Sequence, residues 1–408
     1  MIDKYVNSKK IIGSIIKLNR INKNISQKQL SKGICVPSYL SRIENGELLP
    51  SEDVISVIFD RLGLKFYDSD EFLLKGKKYL NDFFTNLNYN EFDYTNKLFD
   101  NLEKDEDKYI ASPLILDYFL AKLARYSSTP NRDKFEYSKN MILSSFDLLT
   151  AKQKYIYNFY AGTDILILSN NKIHGKQLIQ EALSLKETGH CYFGLSYAYR
   201  IENNPIKAYD SINKALDLYV AEGNIISIMS SYEKIAEVYF MLDNYSDAIN
   251  YLEISLNMAK KFKNIYFLEH LNSILAWTYY RLNDFNKALE YLSYNKGLID
   301  HRLIIPDSVI ESLIYFSLEN KELLNKAILN LNNPKTIQHI GEHNSKLIYD
   351  LFKLFIEDNN YNKNPLWGNL LSEINTNITK LVELKKVFNE LLKNYYIINR
   401  RYKDALFL

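Results

Sequence analysis

The chain has 408 residues, 47% of them hydrophobic and 25% charged, the proportions of a folded soluble protein too long for one ordinary core. A net charge of +2 excludes a protein that coats nucleic acid along its whole length, and two cysteines, Cys35 and Cys191, exclude a disulfide scaffold. No run reaches the ~18 apolar residues of a membrane span and the N-terminus has no signal-peptide core, so a cytoplasmic protein with no membrane contact is expected.

Charge is uneven along the chain. The first 42 residues hold nine Lys/Arg and one acid, Asp3, so the remainder is net negative. A basic end on a mildly acidic body suits phosphate binding by that end. Within it, Ile11, Ile12, Ile15, Ile16 and Leu18 form an apolar stripe of helical period over residues 8–22. Ser26 then caps a short helix, with Gln29 three residues on to close a capping box, Leu30 as its apolar contact and Gly33 as its stop. A second helix starts near Pro37, buries Leu40 and Ile43 on one face, and stops at Asn45-Gly46 before Pro50. Two short helices across a tight turn are the layout of a helix-turn-helix, in which the second lies in the DNA major groove. Ser51 caps one more helix through Val54, Ile55, Ile58 and Leu62, ended by Gly63. Residues 1–65 are therefore expected to be a DNA-binding head and residues 66–75 a polar linker.

Residues 76–408 show no strand signal. Helical stripes recur between polar turns, and they repeat. Tyr199, Tyr239 and Tyr279 are spaced by 40, and so are Ala208, Ala248 and Ala288, each nine residues after its Tyr. Ile212, Leu252 and Leu292 follow four further on, and Tyr396 with Ala405 repeats the nine-residue step. Weaker echoes lie at Leu166, Gly175 and Ile179, and from Leu318 to Leu331. Each unit reads as a helical hairpin in which a large residue late in one helix packs over a small Ala early in the next. Such hairpins stack into a superhelix with a concave groove. The fold class expected is all-α: a small helix-turn-helix domain followed by a helical-repeat superhelix.

The repeat segments resemble the tetratricopeptide pattern, lengthened from its usual period of 34. The run LSKGICVPSYLSRIENGELLPS resembles the Xre-type helix-turn-helix, and Arg20 and Glu44 sit where that family forms a buried Arg–carboxylate pair. The turn Gly33-Ile34-Cys35-Val36 is one residue shorter than in phage-type repressors. That shorter form, followed by a tetratricopeptide body, resembles the RRNPP family of peptide-sensing regulators, with a clostridial sporulation-and-toxin regulator as the narrower likeness. The resemblance implies a cytoplasmic transcription factor, a homodimer on a palindromic double-stranded operator, whose groove binds a short signalling peptide in a quorum-sensing circuit.

Candidate DNA contacts are Pro37, Ser38, Tyr39, Ser41 and Arg42, which point away from the Leu40/Ile43 stripe, with Ser26, Gln27 and Lys28 at the preceding helix. Lys32 is a further phosphate contact. Arg42 is the best candidate for bidentate readout of guanine. In the repeats, the tetratricopeptide register turns His190, Phe193, Tyr197 and Arg200 toward the groove. Ser230, Glu233, Glu237 and Phe240 follow, then His270, Ser273, Trp277, Tyr280 and Arg281. Asn158 and Asn272 add amides that could hold a peptide backbone. The competing reading is inter-repeat packing for the aromatics and solvation for the charges. Cys35 reads as a small buried hydrophobe rather than a redox switch. No HExxH, Gly-rich phosphate loop or Cys/His pair appears, so no enzyme activity, metal or cofactor is expected. A different class of function, a repeat scaffold that sequesters a protein partner with DNA binding secondary, is the alternative.

Overall fold

The computed structural model describes residues 9–169, 171–295, 305–379 and 381–407. Among them every regular element is a helix, and no helix is long and apolar enough to cross a membrane. Two compact units divide the chain, residues 1–227 and 228–408.

The first unit opens with the head. Helix α1 (Lys9–Asn22) buries the predicted stripe, with Ile12, Ile15, Ile16 and Leu18 at most 1% exposed. The helix-turn-helix follows as α2 (Gln27–Ser31) and α3 (Pro37–Glu44), and then α4 (Glu52–Arg61). The capping box is present: Gln29 N–H donates to Ser26 Oγ (3.2 Å) and Ser26 N–H to Gln29 Oε1 (2.9 Å). Gly33 and Gly46 take positive φ (74° and 68°) at the ends of α2 and α3, where a side chain would be strained. Ser51 stands at the N-cap of α4, but its hydroxyl makes no capping bond.

Residues 64–69 are non-helical, and α5 (Asp70–Asn88) starts within the stretch expected to be linker. Next come α6 (Phe92–Lys104), α7 (Glu106–Ile110), α8 (Ile115–Tyr126) and α9 (Arg132–Ser144). The hairpins α10 (Ala151–Leu168) with α11 (Lys172–Leu185), and α12 (Gly189–Ile201) with α13 (Pro205–Glu222), complete the unit. Head and repeats are not separated by packing. Ile12, Ile15, Leu30, Leu40 and Ile43 belong to the same apolar cluster as Phe83, Phe99, Tyr118 and Phe135. Asn19 of α1, 1% exposed, donates its amide to the carbonyl of Ile110 (2.7 Å), and Tyr137 of α9 donates to Asn22 Oδ1 (2.7 Å).

Helix α14 (Ile225–Met241) leads into the second unit, where α15 (Tyr245–Lys261), α16 (Ile265–Arg281) and α17 (Phe285–Ser293) form the clearest repeats. After them lie α18 (Asp307–Ser317), α19 (Lys321–Ala327), α20 (Pro334–Ile340), α21 (Glu342–Glu357), α22 (Pro365–Asn377), α23 (Val382–Ile398) and α24 (Tyr402–Leu406).

The 40-residue period has a backbone cause. At each hairpin the residue four after the repeat Tyr takes a left-handed conformation: Asn203, Asp243 and Asn283, with φ of 53°, 51° and 60°. The next N–H then donates to the Tyr carbonyl: Asn204 to Tyr199 (2.9 Å), Asn244 to Tyr239 (3.0 Å) and Asp284 to Tyr279 (2.9 Å). This is a Schellman stop, satisfying carbonyls the ending helix leaves open. The donor residue's own side chain then caps the following helix, accepting from Lys207, Asp247 and Lys287 N–H. Asn and Asp serve both tasks because they tolerate the left-handed region and accept as N-caps. Tyr315–Glu319–Asn320 and Tyr396–Arg400–Arg401 repeat the backbone turn. Ala208, Ala248 and Ala288 are fully buried where the helices approach. The Tyr rings find other partners: Tyr239 stacks on Tyr251 (5.4 Å between centroids) and Tyr279 on Tyr291 (5.5 Å), while Lys176 lies over Tyr199 (4.4 Å).

Candidate functional site

Around the head's recognition helix, burial sorts the candidate residues. On α3, Pro37, Ser38 and Arg42 are exposed, Tyr39 and Ser41 half-buried, and Leu40 and Ile43 fully buried. Ser26, Lys28 and Lys32 are exposed beside them. Arg42 is 58% exposed and only loosely approached by Glu47 (Nε to Oε2 3.6 Å), so its guanidinium is available to an outside partner. Gln27 is placed differently from a phosphate contact: its side-chain amide donates to Glu44 Oε2 (2.7 Å) and is held inside the head. Arg20 holds the same carboxylate through Nε (2.6 Å) and Nη2 (2.8 Å), and its Nη1 donates to the Ile25 carbonyl (2.9 Å). Beneath α2, Arg61 Nη1 donates to the carbonyls of Leu30 (3.0 Å) and Lys32. That support was invisible in sequence, because a helix C-terminus records no signal for a remote donor. Cys35 is half-buried against the head's core, and burial raises its thiol pKa.

In the first unit, Asn158 of α10 is buried; its amide donates to Glu181 (3.2 Å) while its own Oδ1 has no partner. His190 of α12 is wedged edge-on between Phe159 and Tyr219, with Nε2 3.1 Å from the Asn88 carbonyl. Burial lowers its pKa. Phe193 and Tyr197 are half-buried on the same helix, and Arg200 lies over the Tyr197 ring (6.0 Å).

The second unit assembles most of its candidates. Ser230, Glu233, Glu237 and Phe240 line one stripe of α14, and His270, Ser273, Trp277 and Arg281 one stripe of α16. The stripes meet where His270 Nε2 lies 3.0 Å from Glu233 Oε1. Lys234, which sequence reading passed over, supplies the second cation, 2.8 Å from Glu233 and 2.6 Å from Glu237. Burial pushes the Glu233 carboxyl up, but the His270 and Lys234 charges outweigh it and hold the group well below the ordinary carboxylate range. Trp277 is 3% exposed and packs on Tyr280 (5.4 Å); Phe240 packs on Tyr245 (5.6 Å). Among the described residues, buried nitrogens on the α16 stripe without a hydrogen-bond partner include Trp277 Nε1, Arg281 Nε and His270 Nδ1. Asn272 donates to Asn295 (3.3 Å), whose own amide donates to Ser273 (2.8 Å). Ser273 donates to Asp307 (2.6 Å) at the edge of a cavity of about 620 Å³ whose walls include Glu269, Asn295 and Glu311. Burial and the neighbouring Asp307 raise the Glu311 pKa. Arg281 pairs with Glu390 of α23. Among the described residues no group of three or more His, Cys, Asp or Glu is placed to hold a metal ion.

Comparison with known proteins follows this division. The helix-turn-helix family model matches residues 16–68. No curated protein matches the chain in sequence. In fold, the chain is similar to a Rap protein solved with competence and sporulation factor (TM-score 0.62, 15% identity, 83% of this chain and 96% of that one). It is also similar to the quorum sensor NprR from B. thuringiensis in its apo form (TM-score 0.57, 15% identity, 81% of this chain and 99% of that one). NprR solved with its cognate peptide NprX matches with a TM-score of 0.56 at 16% identity, over 83% of this chain and 96% of that one. The chain thus joins a helix-turn-helix domain to the repeat fold of Rap and NprR, the two-part architecture that its resemblance to the RRNPP regulators implies.

Proposed function

We propose that the protein is a cytoplasmic transcriptional regulator whose DNA binding is set by a short signalling peptide. The observation that carries the reading is the head: a helix-turn-helix whose second helix presents Pro37, Ser38 and Arg42 to solvent beside Ser26, Lys28 and Lys32. In this reading α3 enters the major groove, Arg42 reads guanine and the lysines hold phosphates. A homodimer on a palindromic site follows from the need to place two heads on successive groove faces.

Peptide control rests on the repeats. NprR, similar in fold, was solved in complex with its cognate peptide NprX. The α14 and α16 stripes of this chain bring aromatics together with a buried donor that has no acceptor, Trp277 Nε1, and a buried His270 Nδ1 that also has no partner. Unpaired buried donors are costly, and the carbonyls of an extended peptide would satisfy them. In the first unit Asn158 Oδ1 is a buried acceptor without a donor, which a peptide N–H would satisfy, and Phe193 and Tyr197 are half-buried.

The test is selection of DNA fragments by the full chain, followed by sedimentation with and without the selected site. The regulator reading expects an enriched palindrome bound by two chains. Enrichment of a non-palindromic site by one chain would remove the dimer. No enrichment, together with a stoichiometric protein partner, would favour the sequestering scaffold.

A further inference from the structure

Helix α23 returns to the first helices of the second unit through one polar stripe, Glu383, Lys386 and Glu390. Glu383 Oε2 accepts from the Tyr245 hydroxyl (2.8 Å). Lys386 Nζ donates to the Phe240 carbonyl (3.2 Å) and to Asp243 (2.9 Å). Glu390 receives Nη1 and Nη2 of Arg281 at 3.2 and 2.9 Å.

The last pair is asymmetric. The Arg281 side chain is 14% exposed and lies over the Tyr245 ring, with Nε unpaired, whereas the Glu390 side chain is 58% exposed. A buried guanidinium must keep an anionic or carbonyl partner. A carboxylate already in water can leave cheaply. The arginine is thus fixed on the inner stripe of α16, and the glutamate is its replaceable occupant. On the same stripe Trp277 Nε1 and His270 Nδ1 have no hydrogen-bond partner among the described residues.

We propose that α23 is a latch and that Glu390 fills the place of a carboxylate which the bound peptide brings to Arg281. The proposal rests on the peptide reading above. The ligand would run along α16, its carbonyls toward His270 and Trp277 and its carboxylate, terminal or from an Asp or Glu side chain, at Arg281. The eleven helical steps from His270 to Arg281 span about 16 Å, the length of roughly five extended residues. Peptide entry then displaces Glu390 and removes one of the polar contacts that hold α23, which couples occupancy to the position of that helix.

The experiment exposes the full chain to a synthetic pool of heptapeptides with free C-termini and identifies those retained by mass spectrometry. Affinities are then compared for wild type, Glu390→Gln and Arg281→Gln, read by Trp277 fluorescence in a Trp367→Phe background. Removing the internal competitor should tighten binding about threefold in Glu390→Gln. Loss of the charge-assisted pair should weaken it by about tenfold or more in Arg281→Gln. C-terminal amidation and Asp/Glu→Asn/Gln replacement in the peptide tell which carboxylate is used, and the sensitive one should matter in wild type and not in Arg281→Gln. Peptides that bind all three proteins equally would overturn the latch and leave the peptide reading standing. Retention of no peptide would overturn both.

Discussion

Glu44 is fully buried, and Arg20 closes on it from α1 with two nitrogens at 2.6 and 2.8 Å, so the first helix and the recognition helix are joined by one bidentate pair. Truncating one partner strands the other charge. Glu44→Ala should therefore cost about 3–5 kcal/mol in chemical denaturation of the head. Gln27→Ala removes the third bond to the same carboxylate and should cost about 1.5–3 kcal/mol. A loss below that range for Gln27 would mean that its amide is free to face DNA.

Gly13 marks the closest approach of the same two helices. A Cβ there would collide with the Ile43 carbonyl oxygen and lie 3.3 Å from Glu44 O and Gly46 N. Alanine raises helix propensity by about 1 kcal/mol, but overpacking against fixed backbone costs about 1–3 kcal/mol or more. Gly13→Ala should therefore destabilise the head and lower DNA affinity with it. A more stable variant with unchanged affinity would show that α3 can shift freely.

The head and the first repeats share one core, so they should unfold together. Asn19→Ala removes the bond to the Ile110 carbonyl and leaves that acceptor without it, at a cost of about 2 kcal/mol. Probes in α3 and in α8 should report coincident transitions in wild type. An early, separate melting of the head would contradict the shared core.

Acid should loosen the α12 end of the first unit. Burial depresses the His190 pKa below its ordinary 6.5, with the Asn88 carbonyl raising it and Lys186 lowering it. The unfolded chain takes up this proton near pH 6.5 while the folded chain resists it. The stability linked to His190 is therefore present above pH 6.5 and lost as pH falls toward the depressed value. Urea midpoints at pH 7.5 and 5.5 should differ less in His190→Asn than in wild type. Equal pH dependence in the two proteins would remove His190 from the effect.

What could be read in the sequence was local. The capping box at Ser26, the Gly33 and Gly46 stops, and the nine-residue Tyr…Ala hairpin step each depend on residues a few positions apart, and each is present in the fold. The Arg20–Glu44 pair was legible through family resemblance rather than through spacing. Contacts between remote segments left no trace: Gln27 turned inward to Glu44, Asn19 reaching Ile110, His190 reaching Asn88, and α23 returning to Arg281. A period shows which face of a helix is inner, but the partner meeting that face depends on how the superhelix winds. For the same reason the sequence leaves unmarked that Asn272 and Ser273 share Asn295 as a partner at the cavity wall.

The most direct test of the account is binding of wild type and Arg42→Ala to a DNA fragment from upstream of the protein's own gene, at two salt concentrations. Arg42 is 58% exposed and makes only a loose ion pair, so its replacement should cost little stability and a change in binding reports the interface. The account predicts saturable wild-type binding that falls steeply with salt, and a loss of about 1–3 kcal/mol in the variant. Equal, weak and sequence-indifferent binding by both proteins would contradict it.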